Sequence, residues 1–332
     1  MRFTHLFLVF CCSILMSFAQ DTKQRFANLG NFQLENGQVI QDCRLGYRTF
    51  GKLNAEQSNA ILVPTWFTGT SQQKSFVAYA GSIADSTRFF VIVVDALGNG
   101  VSSSPSNSKA QAVANFPQFS IRDMVNAEFL LATKHLNLRH LYAVMGISMG
   151  GMQSFQWAVS FPDFMDKVVP IIGSPKQSSY DKLFWNAQLN ILERNGYTAD
   201  AMKSVAALHA MNLFTPEYHQ KNLKPEDYQV FISKQEADSQ NQNPYNWASQ
   251  LRAMINHDVF VGKPMEEVAR TLKAKLLVVV ATQDHMVNPA SAIAFAKALG
   301  APYVELTGEC GHMATSCEAQ KMTEAIRKFL IE

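Results

Sequence analysis

The chain has 332 residues, 47% of them hydrophobic and 17% charged, with a formal net charge of +2. That is enough for one large domain with an insertion and a sizeable buried core. The balanced charge, with no basic run carrying interleaved aromatics, leaves no electrostatic footprint for nucleic acid, and nucleic-acid binding is set aside.

The N-terminus stands apart. Arg2 is followed by an apolar stretch from Leu6 to Ala19 and then by polar Gln20, Asp21, Thr22 and Lys23. This is the layout of a secretory signal peptide, with Ser17-Phe18-Ala19 as the small-residue site for cleavage before Gln20. The apolar run falls short of the ~20 residues of a comfortable bilayer span, so no stable membrane span is expected after cleavage. The mature chain is therefore expected to be exported, to the periplasm or the medium. Cys11 and Cys12 leave with the leader, and Cys43, Cys310 and Cys317 remain. The last two are close enough in sequence to pair in an oxidising compartment, and whether they do is open at this point. No Cys/His set has metal-ligand spacing, so no metal is expected, and no cofactor.

From Asn31 to Pro64 the chain reads as three short strands, around Phe32-Gln33-Leu34, Cys43 to Arg48 and Ala60 to Val63, the first two forming an antiparallel edge. The third runs into the loop Thr65 to Thr70, followed by a segment that reads as a helix. Phe89 to Val94 is a fourth strand, ending on Asp95; an unbroken apolar run flanked by turns marks a parallel strand buried on both faces. Ser120-Ile121-Arg122-Asp123 predicts a capping box for a helix reaching His135. A strand at Leu141 to Met145, the glycine-rich turn after it, a helix ended by Phe161-Pro162 and a strand at Lys167 to Ile172 come next. The texture then changes: 176–264 is helical, polar-aromatic and free of β-branched runs, and reads as an inserted cap over the C-terminal edge of the sheet. Strand-helix alternation resumes with Lys275 to Ala281, Pro289 to Leu299, Tyr303 to Leu306 and a last helix from Ser316 to Phe329. The expected architecture is one α/β domain, a mostly parallel doubly wound sheet (20–175 and 265–332) behind a leader (1–19), with a helical cap (176–264).

The stretch Gly146-Ile147-Ser148-Met149-Gly150-Gly151 sits between a strand and a helix. A serine on so sharp a turn has strained backbone angles, and the residues two before and two after must lack colliding side chains. The turn exposes the hydroxyl at a helix N-terminus, where the Met149 amide can face a developing oxyanion. A serine hydroxyl is a poor nucleophile at neutral pH and needs a base, which in turn needs an acid to hold its tautomer. In such a fold the chain order is Ser, then Asp or Glu after a late strand, then His after the last strand. Asp284 and His312 occupy those places. His285 would share the acid's loop, while His135, His140, His209, His219 and His257 fall in helices or the cap. Asp95 precedes the serine and reads as structural, and Glu305 and Glu309 are weaker acids. Trp185, Tyr245 and Trp247 of the cap read as packing residues ahead of pocket-lining ones.

With these residues in place the sequence resembles the homoserine/serine O-acetyltransferase family of α/β-hydrolases over nearly all of the mature chain. The resemblance rests on Tyr47-Arg48-Thr49-Phe50-Gly51-Lys52-Leu53-Asn54, Ser58-Asn59-Ala60, Phe67-Thr68-Gly69, Ile121 to Val125 and above all Ser148-Met149-Gly150-Gly151-Met152-Gln153. It implies the α/β-hydrolase fold, Ser148 as acyl-accepting nucleophile, Asp284 and His312 as its partners, and the amides of Phe67 and Met149 as an oxyanion hole. Family members that acylate homoserine place an aspartate directly after the histidine, where this chain has Met313. They also place an arginine in the first cap helix, where Phe184 to Leu192 contains none. A zwitterionic amino acid would be poorly neutralised without that pair. The expected activity is hydrolysis of a small acyl ester or thioester, ahead of acyl-CoA-dependent O-acyl transfer. A non-catalytic binding protein on the same fold is a third reading, and a homodimer through the cap is left open.

Overall fold

The computed structural model describes residues 22–73, 77–79 and 81–332. The expected leader lies outside them, as does part of the segment after Gly69 that reads as a helix. β1 (Arg25–Gln33) and β2 (Val39–Phe50) form the antiparallel edge. They are followed by β3 (Ala60–Pro64), β4 (Phe90–Val94), β5 (Leu141–Ile147), β6 (Met165–Ile171), β7 (Lys275–Leu276), β8 (Val278–Ala281) and β9 (Tyr303–Leu306). Spatial order is β1-β2-β4-β3-β5-β6-β8-β9, with β7 also against β6. β2 and β4 pair antiparallel, and every pairing from β3 onward is parallel. The apolar run Lys275 to Ala281, expected as one strand, divides at Leu277 but keeps a single register on β6, Leu276 opposite Val168 and Val279 opposite Ile171.

Alternate side chains of the central strands go to opposite faces, which is why the runs are apolar without a break. Leu62, Ile92, Val94 and Val144 enter one core, while Ile61, Val63, Val91, Val93 and Met145 enter the other. The first core holds α1 (Ile121–Leu130) and α2 (Met149–Ser160). The capping box forms, Ser120 Oγ accepting from Asp123 N at 3.0 Å and Asp123 Oδ2 accepting from Ser120 N at 2.8 Å. Between β6 and β7 come α3 (Ser179–Arg194), α4 (Ala199–Leu213), α5 (Pro216–Asn222), α6 (Tyr228–Ser239), α7 (Pro244–Ile255) and α8 (Met265–Ala269). The chain ends with α9 (Ala290–Leu299), α10 (Ala314–Cys317) and α11 (Ala319–Ile331), whose Met322, Ile326 and Leu330 close the second core. α2 lies against the end of β6 so closely that a Cβ on Gly173 would stand 2.6 Å from the Gly151 carbonyl carbon.

One polar pair is sealed between α1 and α2. Trp157 Nε1 donates to Glu128 Oε2 at 2.6 Å, and Glu128 Oε1 is buried with no partner. Burial pushes the Glu128 carboxyl up to about 8, against the Trp157 hydrogen bond that lowers it. The folded chain therefore holds this proton where the unfolded chain has lost it, so stability falls as pH rises from the ordinary carboxylate value through about 8. Glu128→Gln removes that dependence. Urea unfolding at pH 5 and pH 9 should show the glutamine variant gaining on the wild type at the higher pH, by up to about 4 kcal/mol. A constant difference between the two proteins would refute the buried-proton assignment.

Candidate active site

Ser148 stands alone between β5 and α2 with φ 58° and ψ −119°, a region that a residue with a Cβ occupies only when its surroundings impose it. Its neighbours explain how: a Cβ on Gly146 would lie 2.4 Å from the Gly150 carbonyl oxygen, and one on Gly150 would lie 2.6 Å from that of Pro64. The strand, turn and helix close on one another only without side chains at these two places. Gln153, one turn into α2, donates from Nε2 to the Thr65 carbonyl at 3.1 Å and so ties the elbow helix to the loop that carries Phe67.

The Ser148 side chain does not cap its own helix; its Oγ lies 2.9 Å from His312 Nε2. His312 Nδ1 lies 2.7 Å from Asp284 Oδ2, and Asp284 Oδ1 accepts from the amides of Met286 and Val287 at 2.8 and 2.9 Å. An ionised carboxylate can only accept, so Nδ1 carries the proton and Nε2 is left to accept from the serine hydroxyl. The structure thus brings together Ser148, Asp284 and His312, all three buried, in the arrangement that activates a serine. Met149 is the first residue of α2, and Phe67 lies on the loop after β3. Among the described residues neither of their amides donates a hydrogen bond within the chain.

A cavity of about 560 Å³ opens over Ser148, lined by Trp66, Phe67, Ile172, Trp185, Leu213, Met286, Met313 and Met322 among others, and among the described residues by no aspartate, glutamate, lysine or arginine. Three of its lining residues, Thr68, Ser148 and Ile172, have positive φ, the concentration of backbone strain that marks functional sites. His209, from α4, is also on the wall. Sequence reasoning left it among the cap histidines, because nothing local to a helix shows which of its turns faces a cavity. Burial, with His312 nearby, holds its imidazole far down, to about 3, so it is neutral. The Phe67 ring meets Trp247 edge-on at 4.6 Å and Trp185 at 6.0 Å. Of the three cap aromatics only Trp185 reaches this cavity; Tyr245 stacks on Tyr197 and Trp247 donates to Gln188.

The helical segment also fastens the site. Gln250 of α7 accepts from Thr68 N at 2.8 Å and donates to Leu97 O at 2.9 Å. Asp181 of α3 accepts from Asn288 N at 2.9 Å, on the loop after Asp284. Thr215, ahead of α5, donates to Glu309 O at 2.6 Å, on the loop before His312. Each of these three loops is therefore held by at least one polar side chain from the helical segment. Asp95 serves elsewhere, accepting from Ser71 N and Oγ at 2.7 Å each and from Gln24 Nε2 at 2.9 Å. Glu309 pairs with Lys221, and Glu305 is exposed on β9. Cys310 and Cys317 are joined in a disulfide, while Cys43 is buried, its thiol pushed by burial up to about 12 and so unreactive.

A family model described as the alpha/beta hydrolase fold matches residues 61–316. A probable esterase of Corynebacterium glutamicum is 40% identical over 162 residues, 48% of this chain and 46% of that protein, so the match spans about half the length of that relative. A homoserine O-acetyltransferase of Methanococcoides burtonii is 29% identical over 91% of this chain and 72% of its own. The crystal structure of an acetylester hydrolase from Corynebacterium glutamicum superposes with a TM-score of 0.87 at 26% identity, covering 93% of this chain and 96% of that one.

Proposed function

Because this chain belongs to the alpha/beta hydrolase fold family, we propose that it is a serine esterase working through an acyl-enzyme on Ser148. The observation that carries the reading is the Ser148–His312–Asp284 hydrogen-bonded chain opening into a cavity with no aspartate, glutamate, lysine or arginine among its described lining residues. Ser148 Oγ attacks the ester carbonyl as His312 Nε2 takes its proton, and Asp284 stabilises the imidazolium that results. The oxyanion is received by the Phe67 and Met149 amides, each worth about 3 kcal/mol in such sites. His312 then returns its proton to the leaving alcohol, water enters, and the same base activates it to release the acid.

Acyl transfer to homoserine is the second reading, favoured by the long match to a homoserine O-acetyltransferase. Against it stands the wall itself. Met313 follows the base, and among the described residues no carboxylate or guanidinium faces the cavity to neutralise an amino acid. Purified protein given short aryl esters, and separately acetyl-CoA with and without homoserine, should hydrolyse the esters and release CoA at a rate indifferent to homoserine. Homoserine-dependent CoA release faster than ester hydrolysis would replace hydrolysis by transfer. We also propose that the protein is exported; the leader-like N-terminus and the Cys310–Cys317 disulfide, a bond that persists in oxidising compartments, support this.

A further inference from the structure

We infer that the Cys310–Cys317 disulfide is a positioning element for His312, so that the esterase proposed above works at full rate only with this bridge closed. After β9 the base is carried by one tight turn, Gly311–Met313, and by the four-residue α10. Helical pieces this short have no stability of their own in water. Yet His312 must hold 2.9 Å to Ser148 and 2.7 Å to Asp284 at once. The bridge joins the residue before the turn to the last residue of α10, closing the segment that contains His312. Just outside it Gly308 N donates to Glu318 Oε1 at 2.8 Å, Thr215 donates to Glu309 O and Lys221 pairs with Glu309, while inside it Met313 N donates to Cys310 O at 3.0 Å. The outer ties hold the ends of the loop, and the disulfide is the one covalent tie across the segment between them.

The effect expected is local. Stabilisation by a disulfide through the unfolded chain grows with loop length, and here the sequence separation is only 7. Cys310 is buried but Cys317 is exposed, so a thiolate from solvent can reach the Cys317 sulfur. A dithiol reductant would attack it, breaking the S–S bond through a mixed disulfide. The dithiol leaves as its own cyclic disulfide, having supplied two electrons and two protons, and Cys310 and Cys317 become thiols.

The test uses oxidised wild-type protein, the same protein reduced with dithiothreitol, and the double variant Cys310→Ser, Cys317→Ser. Opening the bridge is verified by alkylation of two new thiols while buried Cys43 stays unreacted. With the bridge open, kcat on an aryl ester should fall at least about tenfold, in keeping with a small misplacement of a reacting group, with KM changing less and the circular dichroism spectrum that of the folded protein. Reoxidation should restore kcat, and the double variant should show the low rate and ignore reductant. A kcat within about twofold of the oxidised enzyme after verified opening would overturn the inference, and so would a loss of kcat that only follows global unfolding. Should the double variant fail to fold, the reduced and reoxidised wild type decides the matter by the same readings. Oxidised protein with neither ester turnover nor fluorophosphonate labelling overturns the esterase reading itself, and the positioning role with it.

Discussion

Ser148→Ala should leave a folded protein with kcat on aryl esters reduced by on the order of 10⁶-fold and with no fluorophosphonate labelling. That is about 8 kcal/mol of transition-state stabilisation, which the chemistry of the site accounts for. Without Oγ no acyl-enzyme can form, and His312 is left 2.9 Å from nothing it can deprotonate except water. The fold should survive, since alanine meets the same strain at φ 58° as serine and the Ser148 side chain caps no helix. His312→Ala should cost nearly as much, and the double variant little more than either, because residues that act as a unit lose their effect together. A Ser148→Ala rate within tenfold of the wild type, or wild-type-like labelling, would remove the serine from the mechanism.

Gly146→Ala should be among the most damaging single methyl additions to the active-site turn. It would place Cβ 2.4 Å from the Gly150 carbonyl oxygen, 2.5 Å from its carbonyl carbon and 2.9 Å from its Cα, all backbone of the helix that follows. Relief requires α2 to move off the sheet. Its side chains Met152, Phe155 and Trp157 are fully buried in the larger core, so the helix cannot tilt without opening that core. A destabilisation above about 4 kcal/mol is expected, which in a domain of this size lowers Tm by about 6 °C or more. Thermal melts followed by circular dichroism measure it; a Tm within about 2 °C of the wild type would show that the elbow has room the backbone distances deny. Gly173→Ala, meeting the backbone of Gly151 at 2.6 Å, is the companion experiment on the far side of the same helix.

The sequence made some of this readable and hid the rest for physical reasons. Elements with a local cause were legible. The capping box at Ser120 and Asp123, the apolar runs of the parallel strands and the glycine spacing around Ser148 are each set by neighbours within a few residues. Asp284 and His312 could be named because chain order in this topology leaves few places for an acid and a base. What sequence spacing does not carry is contact across long separations. Gln250 and Thr68 are 182 residues apart, and Asp181 and Asn288 are 107. Glutamine and aspartate at those points in a helix look like solvent-facing polar residues. The Gly151–Gly173 approach was equally hidden, since neither glycine has a positive φ and only the third dimension shows what each would strike. His209 turned inward, where a helical repeat alone could not direct it.

The three polar fasteners bear on redesign. Substrate range in such a scaffold would naturally be altered by exchanging the helices above the sheet for those of another protein. In this chain the exchange would remove Gln250, Asp181 and Thr215, and with them the restraint on Thr68, Asn288 and Glu309. A graft that supplied a new roof without equivalents of these three would deliver a different pocket over loosened machinery. Roof and floor here are one part, and a transplant has to take the bolts along with the panel.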